Sequence, residues 1–231
     1  MILVNGDSVT FGSGLLEEEI SWPSLIFDCN NIAEPGSSNP SIYRRTLEEI
    51  YLNSYDVVIV AWSSFYRYEF ADNYGKAKTF LLSNYKNKNS SASIILKELL
   101  NNWHNDFWYF KQFLLILSNL KLHCEHLGIN FYCLNTDRDV AKYYSTFCNN
   151  YLDFYKTFNL DLYTDEEIKK EFNFLSKLIC ETSNCWIISP TVSITEIYGN
   201  NTVSTTDRHP NQQGHQLIAS KLSPLFKLKL G

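Results

Sequence analysis

Short apolar runs alternate along the chain with longer segments in which apolar residues recur at helical spacing. The strand-like runs are Ile2–Val4, Asn31–Ala33, Val57–Trp62, Ile129–Leu134 and Trp186–Ser189. The helical segments are Pro40–Leu52, a long stretch around Leu96–Cys124, Thr164–Cys180 and Gln212–Phe226. Apolar strands joined by helices are typical of parallel sheets that are covered on both faces. The pattern therefore predicts an α/β fold, a three-layer α/β/α sandwich with a mostly parallel sheet of about five strands.

The chain is long enough to fill one sizeable core. It has 231 residues, of which 45% are hydrophobic and 19% are charged, a composition that fits neither a disordered chain nor a fibrous repeat. We predict a single domain over residues 1–231, with a helical and loop insertion around residues 65–127. Within that insertion the polar segment Asn84–Ser93 predicts a surface loop.

Charge and hydropathy argue against two classes of partner. The formal net charge is -5 and no block of consecutive Lys or Arg is present, so we expect no nucleic acid partner. The apolar runs are far shorter than the roughly 20 residues that cross a bilayer, so we expect no membrane partner. The first residues lack the pattern of a secretory signal, which predicts a cytoplasmic protein. The sequence does not indicate an oligomeric state.

A serine follows the first predicted strand directly. In the segment GDSVTFG (residues 6–12), Ser8 lies between Gly6 and Gly12, which allow a tight turn with inward-pointing backbone N–H groups. Open α/β sheets hold their ligands beyond the carboxyl ends of their strands, so Ser8 is a candidate nucleophile. Two alternatives remain open: Ser8 caps the next helix, or the loop holds a phosphate.

The last part of the chain offers the groups that activate a serine hydroxyl. Asp207 lies two residues before His209, and in an extended segment such residues project to the same side. Asp207 can then orient the His209 imidazole, which serves as the general base for Ser8. The competing interpretation is an ordinary cap and surface pair. His215, a little further on, is interpreted as a surface or capping residue.

Three segments resemble sequence blocks of the SGNH, or GDSL, hydrolase superfamily. GDSVTFG (6–12) resembles its first block, EPGSSN (34–39) its second and DRHPNQQGH (207–215) its last, in the order of the family. The phrases PGSSN (35–39) and IVAWSS (59–64) also resemble those of virus-encoded members, which suggests a viral source.

The resemblance implies both a fold and a set of functional residues. The implied fold is a flavodoxin-like sandwich. The implied catalytic residues are Ser8 as nucleophile, His209 as base and Asp207 as the orienting acid. The N–H groups of Ser8 and Gly36 are implied as oxyanion donors, and the family uses no metal and no cofactor.

Two positions depart from the family pattern. The third block normally supplies an asparagine side chain to the oxyanion hole, whereas this strand ends in AWSS (61–64). Ser63 stands at the equivalent offset and is our candidate for the missing donor, with Asn39 and the Trp62 indole as further candidates. The family's acid also lies more often three residues before the histidine, where this chain has Thr206.

Substrate-binding residues are expected just after the Val57–Trp62 strand. Arg67 and Glu69 follow it closely, so we predict that they face the cleft and bind a polar or charged substrate group. The alternative is a surface ion pair. Trp62 fits either core packing or a platform on which a sugar stacks.

These residues lead to one functional prediction and three alternatives. We predict a serine esterase or acylhydrolase that cleaves a small or carbohydrate-borne ester through an acyl-enzyme. An acyltransferase would use the same residues and differ in excluding water. A non-catalytic binding or structural protein is the rival from another class, motivated by the missing asparagine. A phosphate- or flavin-binding module would hold a cofactor and would not need His209.

Overall fold

The computed structural model describes residues 1–71, 77–81, 98, 105–149 and 164–230. Its strands are β1 (Ile2–Asn5), β2 (Cys29–Asn31), β3 (Val57–Trp62), β4 (Arg67–Ala71), β5 (Ala77–Leu81) and β6 (Asn130–Asn135). Four of them form a parallel sheet in the order β2-β1-β3-β6, and β4 pairs antiparallel with β5. Since all four sheet strands run in the same direction, their carboxyl ends meet at one edge.

Helices follow most of these strands. They are α1 (Ser8–Phe11), α2 (Trp22–Ile26), α3 (Asn39–Leu52), α4 (Asp106–His126), α5 (Arg138–Asn149), α6 (Asp165–Thr182), α7 (Ile194–Tyr198) and α8 (Gln212–Leu230). Local signals explain several helix starts. The side chains of Asn105 and Thr164 accept backbone hydrogen bonds at the starts of α4 and α6. Pro40 lies in the first turn of α3, where its missing N–H costs no hydrogen bond.

The core lies on both faces of the sheet. Along β3, Val58 and Val60 belong to the apolar cluster that includes residues of α3, α4, α5 and α6. Ile59 and Ala61, which point the other way, belong to a second cluster with residues of α2, α7 and α8. All four side chains are fully buried. The two clusters confirm the predicted three-layer α/β/α sandwich and explain why β3 is apolar at every position.

The fifth predicted strand is the main difference from the sequence prediction. Trp186–Ser189 lies beside β6 but does not form a continuous ladder with it. Two isolated β-bridges are present instead, one between Cys133 and Trp186 and one between Asn135 and Ser193. The described sheet therefore has four strands. Pro190 follows the run directly and has no N–H, so no ladder can continue through it toward Ser193.

Other boundaries differ less. The second strand lies two residues earlier than predicted, over Cys29–Asn31. The sequence pattern indicates neither α5 nor the β4–β5 hairpin. The hairpin and α4 fall within the predicted insertion around residues 65–127, whereas Asn84–Ser93 lies outside the described residues. A single domain over residues 1–231 stays a prediction.

Candidate active site

Ser8 lies where β1 ends and α1 begins. Asp7 is the N-cap of α1, and its side chain accepts the backbone N–H of Val9 at 3.0 Å. A glycine is needed before this turn, because a Cβ on Gly6 would lie 2.5 Å from Thr10 Oγ1. Ser8 is 5% exposed, and within the described part of the chain its Oγ makes no hydrogen bond. The hydroxyl is therefore held at the sheet edge without being committed to a partner.

The Asp7 carboxylate joins the ends of three strands. Its Oδ2 accepts hydrogen bonds from Ser63 Oγ at 2.9 Å and Thr136 Oγ1 at 3.2 Å, at the ends of β3 and β6. Arg67 Nη2 lies 3.2 Å from the same oxygen. Since Asp7 is almost fully buried, these charged and polar partners offset the cost of removing its charge from water. The cluster fixes the backbone that carries Ser8.

His209 and Asp207 form a close pair in the loop before α8. His209 Nδ1 lies 2.6 Å from Asp207 Oδ1, which also accepts the His209 backbone N–H at 3.0 Å. These hydrogen bonds hold the pKa of the Asp207 carboxyl below its usual range. The loop itself is held by a bond from Val203 N to His209 O of 2.9 Å. The imidazole ring is therefore oriented by a carboxylate, with Nε2 left for other chemistry.

One cavity of about 850 Å³ brings the two ends of the chain together. Ser8 and His209 both line it, and Thr136 and Tyr198 form other parts of its wall. No hydrogen bond joins Ser8 to His209 in the described residues. His215 is not part of this wall: it is fully buried and its Nδ1 accepts the Trp22 N–H at 3.1 Å. Its interpretation as a surface residue is wrong, whereas its bond to the backbone N–H of Trp22, the first residue of α2, agrees with a capping role.

The predicted oxyanion donors differ in whether their N–H or O–H groups already donate hydrogen bonds within the protein. Gly36 has a φ of 80°, which favours glycine, and its N–H has no acceptor among the described residues. The Ser63 hydroxyl donates to Asp7, so its one proton is already used. Asn39 Nδ2 donates to Ser63 O at 2.9 Å and its Oδ1 accepts the Ser63 N–H at 2.7 Å. The backbone N–H of Gly36 is thus the least committed of these groups.

Arg67 and Glu69 are neither paired with each other nor spread on the surface. Arg67 Nη1 donates to Ser37 O at 3.2 Å, while its Nη2 lies against Asp7. Glu69 accepts from Ser38 Oγ at 3.1 Å, and Arg44 Nη1 lies 2.6 Å from its other oxygen. Both side chains are mostly buried, at 13% and 12% exposure. They hold the loop around Gly36 from one side.

Trp62 is a core residue. Its side chain is fully buried, and its ring makes an edge contact with Phe113 at a centroid distance of 5.6 Å. Of the two interpretations given above, burial supports core packing. A stacking platform for a sugar and an indole donor to the oxyanion are therefore wrong, because no solvent-accessible ring is left for a substrate.

Sequence reasoning missed Thr136 and Arg138, which follow β6 and line the cavity. Their position directly after a predicted strand is a signal that could have found them. It also missed Arg45, whose Nη2 donates to Ser37 Oγ at 2.8 Å and whose Nη1 donates to Glu34 Oε2 at 2.7 Å. Arg45 thereby holds the Gly36 loop from the α3 side.

The described residues contain no group of three or more His, Cys, Asp or Glu residues placed to hold a metal ion. Among the described helices, none combines the length and apolar character that spanning a bilayer requires.

Solved structures of esterases have the same fold as this chain. It is similar to the psychrotrophic esterase EstA from Pseudoalteromonas sp., in a structure inhibited by monoethylphosphonate, with a TM-score of 0.53 and 14% identity over 99% of this chain and 97% of that chain. It is similar to TesA with a TM-score of 0.53 and 12% identity over 98% of each chain. A protein described as lipolytic and of the G-D-S-L family, from Desulfitobacterium hafniense DCB-2, matches with a TM-score of 0.50 and 12% identity over 97% of this chain and 98% of that chain.

The chain therefore shares its fold with these esterases and with the G-D-S-L family protein, as the resemblance of the sequence blocks implies. The likeness covers nearly the whole length of each chain. At the level of sequence alone, no protein-family model and no curated protein matches.

Proposed function

We propose that the protein is a serine ester hydrolase, with Ser8 as nucleophile, His209 as general base and Asp207 as the orienting acid. The observation that carries the proposal is the shared cavity: an uncommitted serine hydroxyl and a carboxylate-bound imidazole line the same wall, although they lie about 200 residues apart in the chain. The fold shared with esterases adds support.

The proposed first step is attack by Ser8 Oγ on the ester carbonyl carbon. Because Asp207 accepts the Nδ1 proton, His209 Nε2 is the unprotonated nitrogen and takes the proton from the attacking hydroxyl. It then gives that proton to the leaving alcohol as the carbon–oxygen bond breaks. Water attacks the resulting acyl-enzyme by the same route and releases the carboxylic acid, which restores Ser8.

The oxyanion that forms in each step needs hydrogen-bond donors. The backbone N–H groups of Ser8 and Gly36 are the proposed donors, because neither has an acceptor among the described residues. Roles for Ser63 and Asn39 in the oxyanion hole stay predictions. The Ser63 hydroxyl would have to leave Asp7 before it donates to a substrate, whereas Asn39 Nδ2 has a second N–H besides the one that it donates to Ser63 O.

The proposed substrate class is a small or carbohydrate-borne ester. The cavity of about 850 Å³ is large enough for such a group and is lined by both polar and apolar atoms. Transfer of the acyl group to a hydroxyl other than water would use the same residues. A product assay with added alcohols separates transfer from hydrolysis.

The test is labelling and turnover in matched variants. Wild type, Ser8→Ala and Ser13→Ala are incubated with a fluorophosphonate probe and, separately, with 4-nitrophenyl acetate. We expect Ser8→Ala to lose labelling and at least about 1,000-fold of the turnover, because its nucleophile is gone. Ser13→Ala, which changes a serine just beyond the end of α1, should keep both. If folded wild type is neither labelled nor active, the non-catalytic alternative is correct.

A further inference from the structure

Arginines are concentrated around the proposed active site. The chain has 20 Lys and Arg residues, of which only five are Arg. Three of these five, Arg67, Arg138 and Arg208, line the cavity that holds Ser8 and His209. Among the described residues no lysine lines it. Arg presents a planar fork that matches carboxylate and phosphate oxygens, whereas Lys acts as a flexible point charge. A cavity wall whose cations are all arginines therefore suits an anion with several oxygens, each of which can accept a guanidinium N–H.

Arg67 is already occupied. Its guanidinium pairs with Asp7 at 3.2 Å and donates to Ser37 O at 3.2 Å, and only 13% of the side chain is exposed. The charge of Arg67 is therefore balanced inside the protein. Arg138 and Arg208 are the cavity arginines that remain available to bind a ligand.

Arg138 and Arg208 are exposed and lack an ion-pair partner within the described ranges. Arg138 opens α5 just after β6, and Arg208 directly precedes His209. Both lie within electrostatic reach of Tyr198 on the cavity wall. Burial raises the pKa of Tyr198 to about 12, Asp7 and Asp137 add to the rise, and the two arginines oppose it.

The acidic groups near the cavity lie against other partners. Asp7 is paired with Arg67, and Asp207 accepts the ring N–H and the backbone N–H of His209. Asp137 lines the cavity and accepts the backbone N–H of Arg138 at 2.6 Å. Within the described ranges no carboxylate therefore forms an ion pair with the guanidinium group of Arg138 or Arg208, and both groups are left to bind an anion.

We propose that the substrate carries an anionic group, a carboxylate, phosphate or sulfate, which the guanidinium groups of Arg138 and Arg208 bind beside the ester. This inference rests on the proposed function and narrows its substrate class. Anion binding at this position steers a charged ester into the cavity and holds it with its carbonyl near Ser8. The group is recognised by its charge and its oxygen geometry.

The test compares four acetate esters that share a phenol leaving group. Phenyl acetate is neutral, and 4-acetoxybenzoate, 4-acetoxyphenyl phosphate and 4-acetoxybenzenesulfonate carry a carboxylate, a phosphate and a sulfonate, the last standing in for a sulfate. We expect wild type to have a higher kcat/KM on at least one anionic ester than on phenyl acetate, after correction for the intrinsic reactivity of each ester. The three anionic esters separate carboxylate, phosphate and sulfonate chemistry.

Charge-removing variants then test which side chains are responsible. Arg138→Gln and Arg208→Gln should each lower the ratio of anionic to neutral kcat/KM by about three- to tenfold, mainly through KM. Added NaCl should lower the same ratio in wild type. Lys227→Gln removes one exposed positive charge from α8, away from the cavity, and should leave the ratio unchanged. Equal ratios in wild type and both Arg variants would overturn the proposal.

A binding measurement separates this inference from the proposed function. Benzoate and phenyl phosphate are titrated into the full chain by calorimetry, with wild type and the two Arg variants compared. Binding that weakens in the variants supports the anion site even if no ester is cleaved. Binding that is absent in wild type, together with neutral ester turnover, refutes the anion site and leaves the esterase proposal intact.

Discussion

At the scale of single residues, the chemistry depends on how Asp207 holds His209. Its Oδ1 accepts both the ring Nδ1–H at 2.6 Å and the backbone N–H at 3.0 Å of the same residue. The lowered pKa of Asp207 keeps the carboxylate ionised well below neutral pH, so the orienting charge is present throughout the range in which an ester hydrolase works. Thr206, at the position where the family more often has its acid, contacts Ser204 Oγ at 3.1 Å instead.

We predict that Asp207→Asn lowers kcat for 4-nitrophenyl acetate by about 100- to 10,000-fold, because an amide stabilises the wrong imidazole tautomer and supplies no negative charge. Thr206→Ala is the matched control in the same loop and should stay within about twofold of wild type, since its hydroxyl contacts no catalytic group. A large loss in Thr206→Ala, or a loss below tenfold in Asp207→Asn, would show that the acid is assigned to the wrong residue.

At the scale of elements, the β4–β5 hairpin contacts the loop that carries Gly36 through side chains of β4. Arg67 and Glu69 are two residues apart in β4 and so project from the same face of the strand. Arg67 bonds to the Ser37 carbonyl and Glu69 to the Ser38 hydroxyl, so consecutive residues of the loop are fixed by one strand. The position of the Gly36 N–H thereby depends on an element outside the central sheet.

We predict that Arg67→Lys lowers kcat by about 10- to 100-fold with little change in KM, because Lys lacks the planar fork that reaches Ser37 and Asp7 through two separate nitrogens, and the donor at Gly36 loses its position. Steady-state kinetics with 4-nitrophenyl acetate measures both constants. Arg44→Gln breaks only the more exposed pair with Glu69 and should change kcat less than about threefold. A rise in KM alone for Arg67→Lys would instead support the substrate-binding role expected from the sequence.

Elements whose own residues carry a complete pattern can be predicted from the sequence. Elements that also need hydrogen bonds to a neighbouring strand cannot. The run Val57–Trp62 is apolar at every position because both faces of β3 are buried, so its bounds follow from sequence alone. Trp186–Ser189 has the same composition, yet a strand also needs a continuous ladder, which β6 does not give it. The composition of a segment does not indicate whether a neighbouring strand forms a continuous ladder with it.

The candidate site divides in the same way. Ser8, Asp207 and His209 lie in short motifs whose residues are close in the chain, so the sequence alone predicts them as candidates. The contacts of Asp7 with Ser63, Thr136 and Arg67 join residues that are far apart, and only the strand order β2-β1-β3-β6 decides that they meet. Strand order was not readable from the alternation of apolar and helical segments.

At the scale of the whole molecule, two buried titratable groups respond to pH in opposite directions. Asp139 accepts from Ser64 Oγ at 2.6 Å and from Phe65 N at 2.9 Å, and burial followed by repulsion from Asp137 raises its pKa to about 6. Burial lowers the pKa of His215 to about 4. In both groups burial favours the neutral form over the charged form.

The signs of the two contributions follow from these shifts. Asp139 binds its proton more tightly in the folded chain, so its contribution to stability is fully present below the usual aspartate pKa of 3.8 and is lost as pH rises through about 6. His215 binds its proton less tightly, so its contribution is fully present above 6.5 and is lost as pH falls through about 4. Between these limits the two slopes oppose each other.

We predict that the free energy of unfolding of wild type changes little between about pH 4 and 6, and that single substitutions expose the separate slopes. Relative to wild type, Asp139→Asn should gain stability as pH rises across this range, whereas His215→Gln should lose it, each by up to about 3 kcal/mol. Urea denaturation at a series of pH values gives the difference between variant and wild type, which removes every titration that they share. Parallel pH profiles for wild type and both variants would show that neither buried group carries a shifted proton affinity.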